Sequence, residues 1–246
     1  MNEHYPCLKE KEPDKPRFVI LSHVCKNFGA LNVFDDVHIS FEHGRVHALM
    51  GASGSGKTTL MRLLAGLEKP DAGYIEGMNG LKRGAVFQED RLCENLSVAV
   101  NIRMPHAGLK GQGKQRFLQR CENLLCAMDM DEILTRPVHE LSGGMKRRVA
   151  LARAVLADAD VLFFDEPLKG LDEKTEQRVM TAIVPLLAGK TVFWATHREG
   201  ELRYFSSPSL TRIEDIGCQS LRFDAFNKLV PVDLIPLARH GGHEIK

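Results

Sequence analysis

The sequence has almost no net charge. Its 33 Lys and Arg face 32 Asp and Glu, which leaves +1 at neutral pH. That balance removes the electrostatic argument for a nucleic-acid binder, or for a chain held on an anionic membrane surface, since both need a surplus of cations. Long apolar runs are missing as well. The longest are of strand length, far short of the ~20 residues a membrane-spanning helix requires. The opening residues, Met1-Asn2-Glu3-His4-Tyr5-Pro6, lack the apolar centre of a secretion signal. Six cysteines (7, 25, 93, 121, 126 and 218) include no Cys-x-x-Cys pair. This argues against a disulfide frame or a zinc site and for reduced thiols that mostly fill the core. There is no internal repeat and no low-complexity block. What remains is 246 residues, 43% hydrophobic and 26% charged, enough for one α/β domain with a full core or two small ones.

The most informative stretch is Gly51-Ala52-Ser53-Gly54-Ser55-Gly56-Lys57-Thr58-Thr59. It fits Gly-x-x-x-x-Gly-Lys-[Ser/Thr], the P-loop or Walker A pattern. Val46 to Met50 before it reads as a short buried strand, and Leu60 to Leu67 after it as an apolar helix. In that context the glycine turn aims backbone N–H groups at a phosphate, and the helix N-terminus adds positive potential. Lys57 supplies a charge for the outer phosphates and Thr58 a hydroxyl for Mg²⁺. A chance occurrence of the bare pattern is expected in roughly one chain of this length in a hundred.

Two later stretches carry chemistry. Val161-Leu162-Phe163-Phe164 is a continuous apolar run, as in a central parallel strand, and it ends in Asp165-Glu166. Ligands of open α/β sheets bind at the carboxyl ends of strands. Asp165 is therefore placed to hold Mg²⁺ through water, and Glu166 to act as general base or to position the attacking water. Leu141-Ser142-Gly143-Gly144-Met145 opens an amphipathic helix running to Leu156. Ser142 is a good N-cap, and the two glycines let backbone N–H groups approach a second anion.

The rest of the pattern frames these motifs. Residues 1–16 are polar and contain three prolines, which predicts a loose tail. Strands are expected at Phe18–Leu21 and Val37–Phe41, with a hairpin-type turn at Glu42–Arg45. Further strands are expected at Tyr74–Glu76, Gly84–Gln88 and Thr191–Ala195. Leu96 to about Leu156 reads as helical, with Lys110–Lys114 as a flexible link, and a helix follows from Glu173 to Leu187. Edge strands are expected within Ile213–Phe223, and Leu229–Lys246 has no assignment. The fold class is α/β: a P-loop NTPase with a RecA-like parallel core, an antiparallel β lobe and a helical subdomain at about 90–156. One domain is expected over 17–230, with a C-terminal tail over 231–246.

The order Walker A, strand ending at Gln88, Leu-Ser-Gly-Gly, Asp165-Glu166, strand ending at His197 resembles the ATP-binding subunit of an ABC transporter. The resemblance spans roughly Phe18 to Leu202. It implies a head-to-tail dimer in which each ATP lies between one copy's P-loop and the other's Ser142, Gly143 and Gly144. It also implies that Phe28 stacks on adenine and that Gln88 ligates Mg²⁺ and senses the γ-phosphate. Asp172 would couple the two sites, and His197 would hydrogen-bond the γ-phosphate and hold the water near Glu166. ATP and Mg²⁺ are the implied ligands. The implied partners are a second copy, separate transmembrane permease subunits that dock near Glu89–Leu92, and a solute-binding protein, with no nucleic acid. The implied place is the cytoplasmic face of the membrane. Met145, where the family commonly has Gln, resembles nitrate, sulfonate and taurine importers and glycine-betaine importers. Lys169-Gly170-Leu171 departs from the commoner Ser-Ala-Leu, and Arg198-Glu199-Gly200-Glu201 follows the usual His-Asp-x-x-Glu only loosely. An exporter ATPase and a soluble ATPase of an assembly machine are the alternatives.

Three features are read as ordinary. Lys146, Arg147, Arg148 and Arg153 form a basic helix face, expected to be solvated. His38, His43 and His47 near the hairpin are expected at the surface. His240-Gly241-Gly242-His243 lacks the carboxylate or cysteine partners of a metal site.

Overall fold

The computed structural model describes residues 17–106 and 108–213, together with the backbone of 221–223 and 229–231. The expected N-terminal tail, the His240–His243 stretch and all of the expected C-terminal tail but Pro231 lie outside the described residues.

The core is a parallel sheet in the order β5-β6-β7-β3-β8. Its strands are β3 (Val46–Met50), β5 (Arg83–Val86), β6 (Val161–Asp165), β7 (Thr191–Thr196) and β8 (Ser209–Arg212). β6 and β7 are buried along their whole length, as the unbroken apolar runs demand of strands covered on both faces. Successive residues serve opposite faces. Phe163 stacks on Phe193 at 5.2 Å toward one layer, while Phe164 meets Trp194 at 5.1 Å toward the other.

The first layer joins helix α1 (Lys57–Leu64) to an antiparallel sheet of β1 (Phe18–Phe28), β2 (Leu31–Glu42) and β4 (Ala72–Glu76). The second layer is helical: α2 (Val98–Arg103), α3 (Gly111–Ala127), α4 (Gly143–Val155) and α5 (Glu173–Ile183). Ser97, Ser142 and Asp172 each cap their helix with a side-chain oxygen. The helix after Asp172 tightens to a 3₁₀ turn at Val184–Leu187, where Pro185 cannot donate to the α-helical ladder. The remaining pair, β9 (Leu221–Phe223) and β10 (Leu229–Pro231), is antiparallel.

Several expectations need correction. The turn at Glu42–Arg45 closes no hairpin: among the described residues β2 pairs with β1, and β3 pairs in parallel with β7 and β8. The chain there crosses from one sheet to the other. Lys110–Lys114 is the start of α3, because the Lys114 N–H already donates to the Lys110 carbonyl. β8 was not expected at all. Its apolar Leu210 is 40% exposed while Thr211 is buried, so no hydrophobic alternation marks it.

His47 is also not a surface residue. It is fully buried in β3, stacked on Phe193 and edge-on to Phe41. Its Nε2 meets the Glu42 carbonyl at 2.8 Å and its Nδ1 has no partner, so the ring is accommodated there as neutral imidazole. Burial pushes its pKa down to about 4. A free histidine titrates near 6.5. As pH falls from about 6.5 to about 4, the unfolded chain takes up a proton that the folded chain refuses. Stability present above pH 6.5 is therefore lost across that window, by about 3 kcal/mol in full. His47→Phe should flatten this part of the pH dependence of the urea midpoint. An unchanged slope between pH 7 and pH 4 would refute the assignment.

Candidate nucleotide site

The P-loop lies where β3 ends. Gly56 precedes α1 at φ +105, and a Cβ there would come within 3.0 Å of the Phe34 ring. Only glycine satisfies both the dihedral and the space. Gly56 brings no side-chain cap to α1, so the first N–H groups of the helix face the loop's concavity. Lys57 is 5% exposed. Its ammonium spans the loop, donating to the Gly51 and Ala52 carbonyls at 2.8 and 2.7 Å. The Ser55 hydroxyl is buried with no partner among the described residues.

The carboxyl ends of β5 and β6 face the same concavity. A cleft of about 190 Å³ is lined by Phe28, Ser53, Gly54, Gly56, Lys57, Thr58, Thr59, Gln88, Asp165 and Glu166, among others. It joins residues over a hundred positions apart, as the expected site requires. Phe28, 45% exposed, stands at its rim with the Lys26 ammonium 5.1 Å from its ring. Thr58 donates its hydroxyl to Asp165 Oδ2 at 2.5 Å, while Asp165 Oδ1 is buried with no partner. Burial raises the Asp165 pKa, the Thr58 hydroxyl offsets part of that, and the neighbouring Glu166 charge adds to it.

Glu166 has an unusual backbone, with φ +47. Such a conformation costs a non-glycine residue about 1–3 kcal/mol and persists only when the surroundings enforce it. Its N–H donates to the Ala195 carbonyl at 2.9 Å, which extends the ladder to β7. Its carboxylate is held on both oxygens: His197 Nδ1 lies 3.2 Å from Oε1 and Lys169 Nζ 3.1 Å from Oε2. Burial alone would raise its pKa. The Lys169 ammonium and then His197 outweigh burial and hold the carboxyl below the usual glutamate value. Lys169, noted in the sequence only as a departure, thus belongs to the site.

Not every expected residue joins this cleft. Gly51 enters through its carbonyl bond to Lys57. Ser142 caps α4, accepting from the Met145 N–H at 3.3 Å. Neither Ser142 nor Gly143, Gly144 or Asp172 lines the cleft. Asp172 caps α5 through the Thr175 N–H and hydroxyl, and these bonds lower its pKa.

Sequence reasoning missed Arg147. It is 5% exposed, so the expected solvated basic face is wrong at this position. Nε donates to the Pro167 carbonyl, Nη1 to the Phe87 carbonyl and Asp90 Oδ1, and Nη2 to the Asp165 and Glu166 carbonyls, all at 2.7–2.9 Å. The signal was present in the spacing. Arg147 shares a helix stripe with the buried Ala150, Leu151 and Ala154.

Comparison with known proteins agrees with this geometry. The sequence model of the family described as "ABC transporter" matches residues 34–169, more than half of the chain. The taurine import ATP-binding protein of Jannaschia sp. (strain CCS1) is 35% identical over 70% of this chain and 66% of its own length. The Fe(3+) ions import ATP-binding protein of Pectobacterium atrosepticum is 37% identical over 75% of this chain and 55% of its own length. The sulfate/thiosulfate import ATP-binding protein of Synechococcus elongatus is 32% identical over 92% and 72%. The chain thus spans between about half and two thirds of the first two relatives. Among solved structures, the dimeric MJ0796 cassette, titled a bacterial ABC transporter cassette, superposes with a TM-score of 0.69 at 26% identity, covering 79% of this chain and 94% of that one. With the P-loop, the Ser142 helix and the strand-ending Asp165-Glu166 pair in this order on a cassette fold, the chain belongs to the ABC transporter family.

Proposed function

We propose that this chain binds and hydrolyses ATP as the energising subunit of an ABC importer for a small solute. The observation that carries the reading is the division of its phosphate-binding groups. One set converges in the P-loop cleft, while the Ser142–Gly144 helix end stays outside it. A second copy arranged head to tail completes both sites. The dimeric MJ0796 structures support this, one of them titled as a post-hydrolysis state bound to ADP and Pi. Import is favoured because the relatives described above are named import ATP-binding proteins. Among the described residues no helix is long and apolar enough to cross a membrane, so the reading assigns the spans to separate permease chains at whose cytoplasmic face this subunit sits. The ATPase unit covers 17–230, with its helical subdomain at about 90–156.

The residues present fit a magnesium ion. Asp165 Oδ1 is buried beside the Thr58 hydroxyl with no partner among the described residues, which suits an ion that keeps most of its waters and binds substrate phosphates. The unpartnered Asp165 Oδ1, the Thr58 hydroxyl and the Gln88 amide would hold it, and bound there it would offset phosphate charge. The chain's own groups do the rest. Lys57 and the α1 N-terminus bind and orient the phosphates. Phe28 stacks on the base. Glu166 accepts a proton from the attacking water, and His197 fixes the carboxylate through Nδ1. The ring can donate to both Glu166 and a phosphate only as imidazolium.

The test is steady-state ATP hydrolysis by the purified chain with and without Mg²⁺. Mg²⁺-dependent turnover is expected, and none at any ATP concentration would refute the reading. Coupling to the permease is assigned to a second cleft of about 380 Å³ lined by Arg62, Leu67, Phe87, Gln88, Glu89 and Arg91. In membranes containing the permease, Arg91→Ala should abolish solute uptake while ATP affinity stays within about twofold. Loss of ATP binding in this variant would contradict the assignment.

A further inference from the structure

We propose that Arg147 is a positioning residue that joins the two ATP sites this chain serves. It links the helix end offered to the partner's nucleotide to the Gln88 segment and to Glu166 beside its own. The inference rests on the ATPase reading given above.

The geometry is that of a strut. Arginine has five N–H donors in a rigid planar fork, and every acceptor of the Arg147 fork belongs to a site segment. The Phe87 carbonyl and the Asp90 carboxylate flank Gln88 on both sides, and the Asp165, Glu166 and Pro167 carbonyls follow the end of β6. Arg153, two turns further along α4, donates to the Asp90 and Arg91 carbonyls, so the same helix grips the Gln88 segment twice. Arg147 lies five residues after the Ser142 cap, roughly 7 Å along the axis at 1.5 Å per residue. A helix is stiff over that distance, so displacement of its N-terminus by a phosphate carries the fork with it.

What the fork holds is sensitive to displacement. Glu166 sits at φ +47, and two of the bonds that fix its backbone come from Arg147, on its own carbonyl and on that of Asp165. Engagement of Ser142, Gly143 and Gly144 by the partner's nucleotide would thus be felt at Gln88 and Glu166 together. Coupling of this kind needs one element that both sites bias. Helix α4, with Arg147 as its inner contact, is that element. Lysine keeps the charge but offers three donors on a flexible stem, and cannot reach five acceptors in one plane.

The test uses the full chain with Arg147→Lys and Arg147→Gln, reading ATP affinity, KM, kcat and the Hill coefficient. The expected result is a fall in kcat of about tenfold or more with KM and ATP affinity within about twofold. The Hill coefficient should move from near two toward one, as loss of communication between two sites requires. Unchanged kcat and Hill coefficient in a folded Arg147→Lys protein would overturn the proposal. A parallel fall in ATP binding and turnover that tracks a lowered Tm would also overturn it, because that marks a merely structural role. If both variants fail to fold, Asp90→Ala removes only the outer end of the network, the acceptor of one Nη1–H. It should lower the Hill coefficient at unchanged Tm, and an unchanged coefficient would count against the strut. Absence of hydrolysis in the wild-type chain would instead refute the ATPase reading itself, so the two failures are distinguishable.

Discussion

Glu166→Gln should leave ATP binding intact and lower hydrolysis by about 10²–10⁴, the span commonly contributed by a positioned general base. The amide matches the carboxylate in volume and tolerates the φ +47 backbone as well as glutamate does. It cannot take a proton from water, and it cannot form the ion pair with Lys169 at 3.1 Å. Nothing in the P-loop changes: Lys57 still spans Gly51 and Ala52, and Thr58 still meets Asp165. The variant should therefore accumulate as an ATP-bound dimer, measured as a doubling of mass by light scattering. Turnover at the wild-type rate would remove Glu166 from the mechanism.

Lys57→Ala should act one step earlier, on binding. The ammonium is buried and its two protein partners are backbone carbonyls, so the charge is available to phosphate and the loop's shape depends on it. Truncating one member of a buried, hydrogen-bonded charge contact costs about 2–5 kcal/mol. A loss of about 3 kcal/mol raises Kd by roughly two orders of magnitude. Lys57→Arg should not rescue, since a planar guanidinium does not reproduce the compact ammonium's bonds to the Gly51 and Ala52 carbonyls. Equilibrium binding of ATP decides this, and near-wild-type affinity in Lys57→Ala would show that the loop backbone alone holds the phosphates.

The parts of this site legible in the sequence were those encoded locally. The P-loop, the Ser142 cap and the strand-ending Asp165 each occupy a few consecutive residues whose backbone geometry their own composition dictates. The helical layer was legible from periodicity, and β6 and β7 from unbroken apolar runs. The misses need neighbours that only the fold supplies. Arg147 looked like one of four cations on a face, and its inward turn depends on carbonyls 18 to 20 residues onward and 60 residues back. Lys169 could be flagged as unusual, but its contact with Glu166 follows from the turn after β6 in which the Lys169 N–H donates to the Glu166 carbonyl at 3.1 Å. His47 is different. The reading of Val46–Met50 as a buried strand already implied a buried histidine, so His47 did not belong with His38, which is exposed, or with the half-buried His43. β8 had no hydrophobic signal because it is a polar edge strand recruited by β3.

The central claim is that this P-loop is half of a site completed by Ser142 of another copy. It is tested by mixing two disabled chains in the Glu166→Gln background, one carrying Lys57→Ala and the other Ser142→Arg. Head-to-tail pairing leaves one intact site in the mixed dimer and none in either pure dimer. Each chain alone should remain monomeric with ATP, and the equimolar mixture should form a dimer holding one ATP. A mixture that stays monomeric, or a Ser142→Arg chain that dimerises alone, would contradict the shared site.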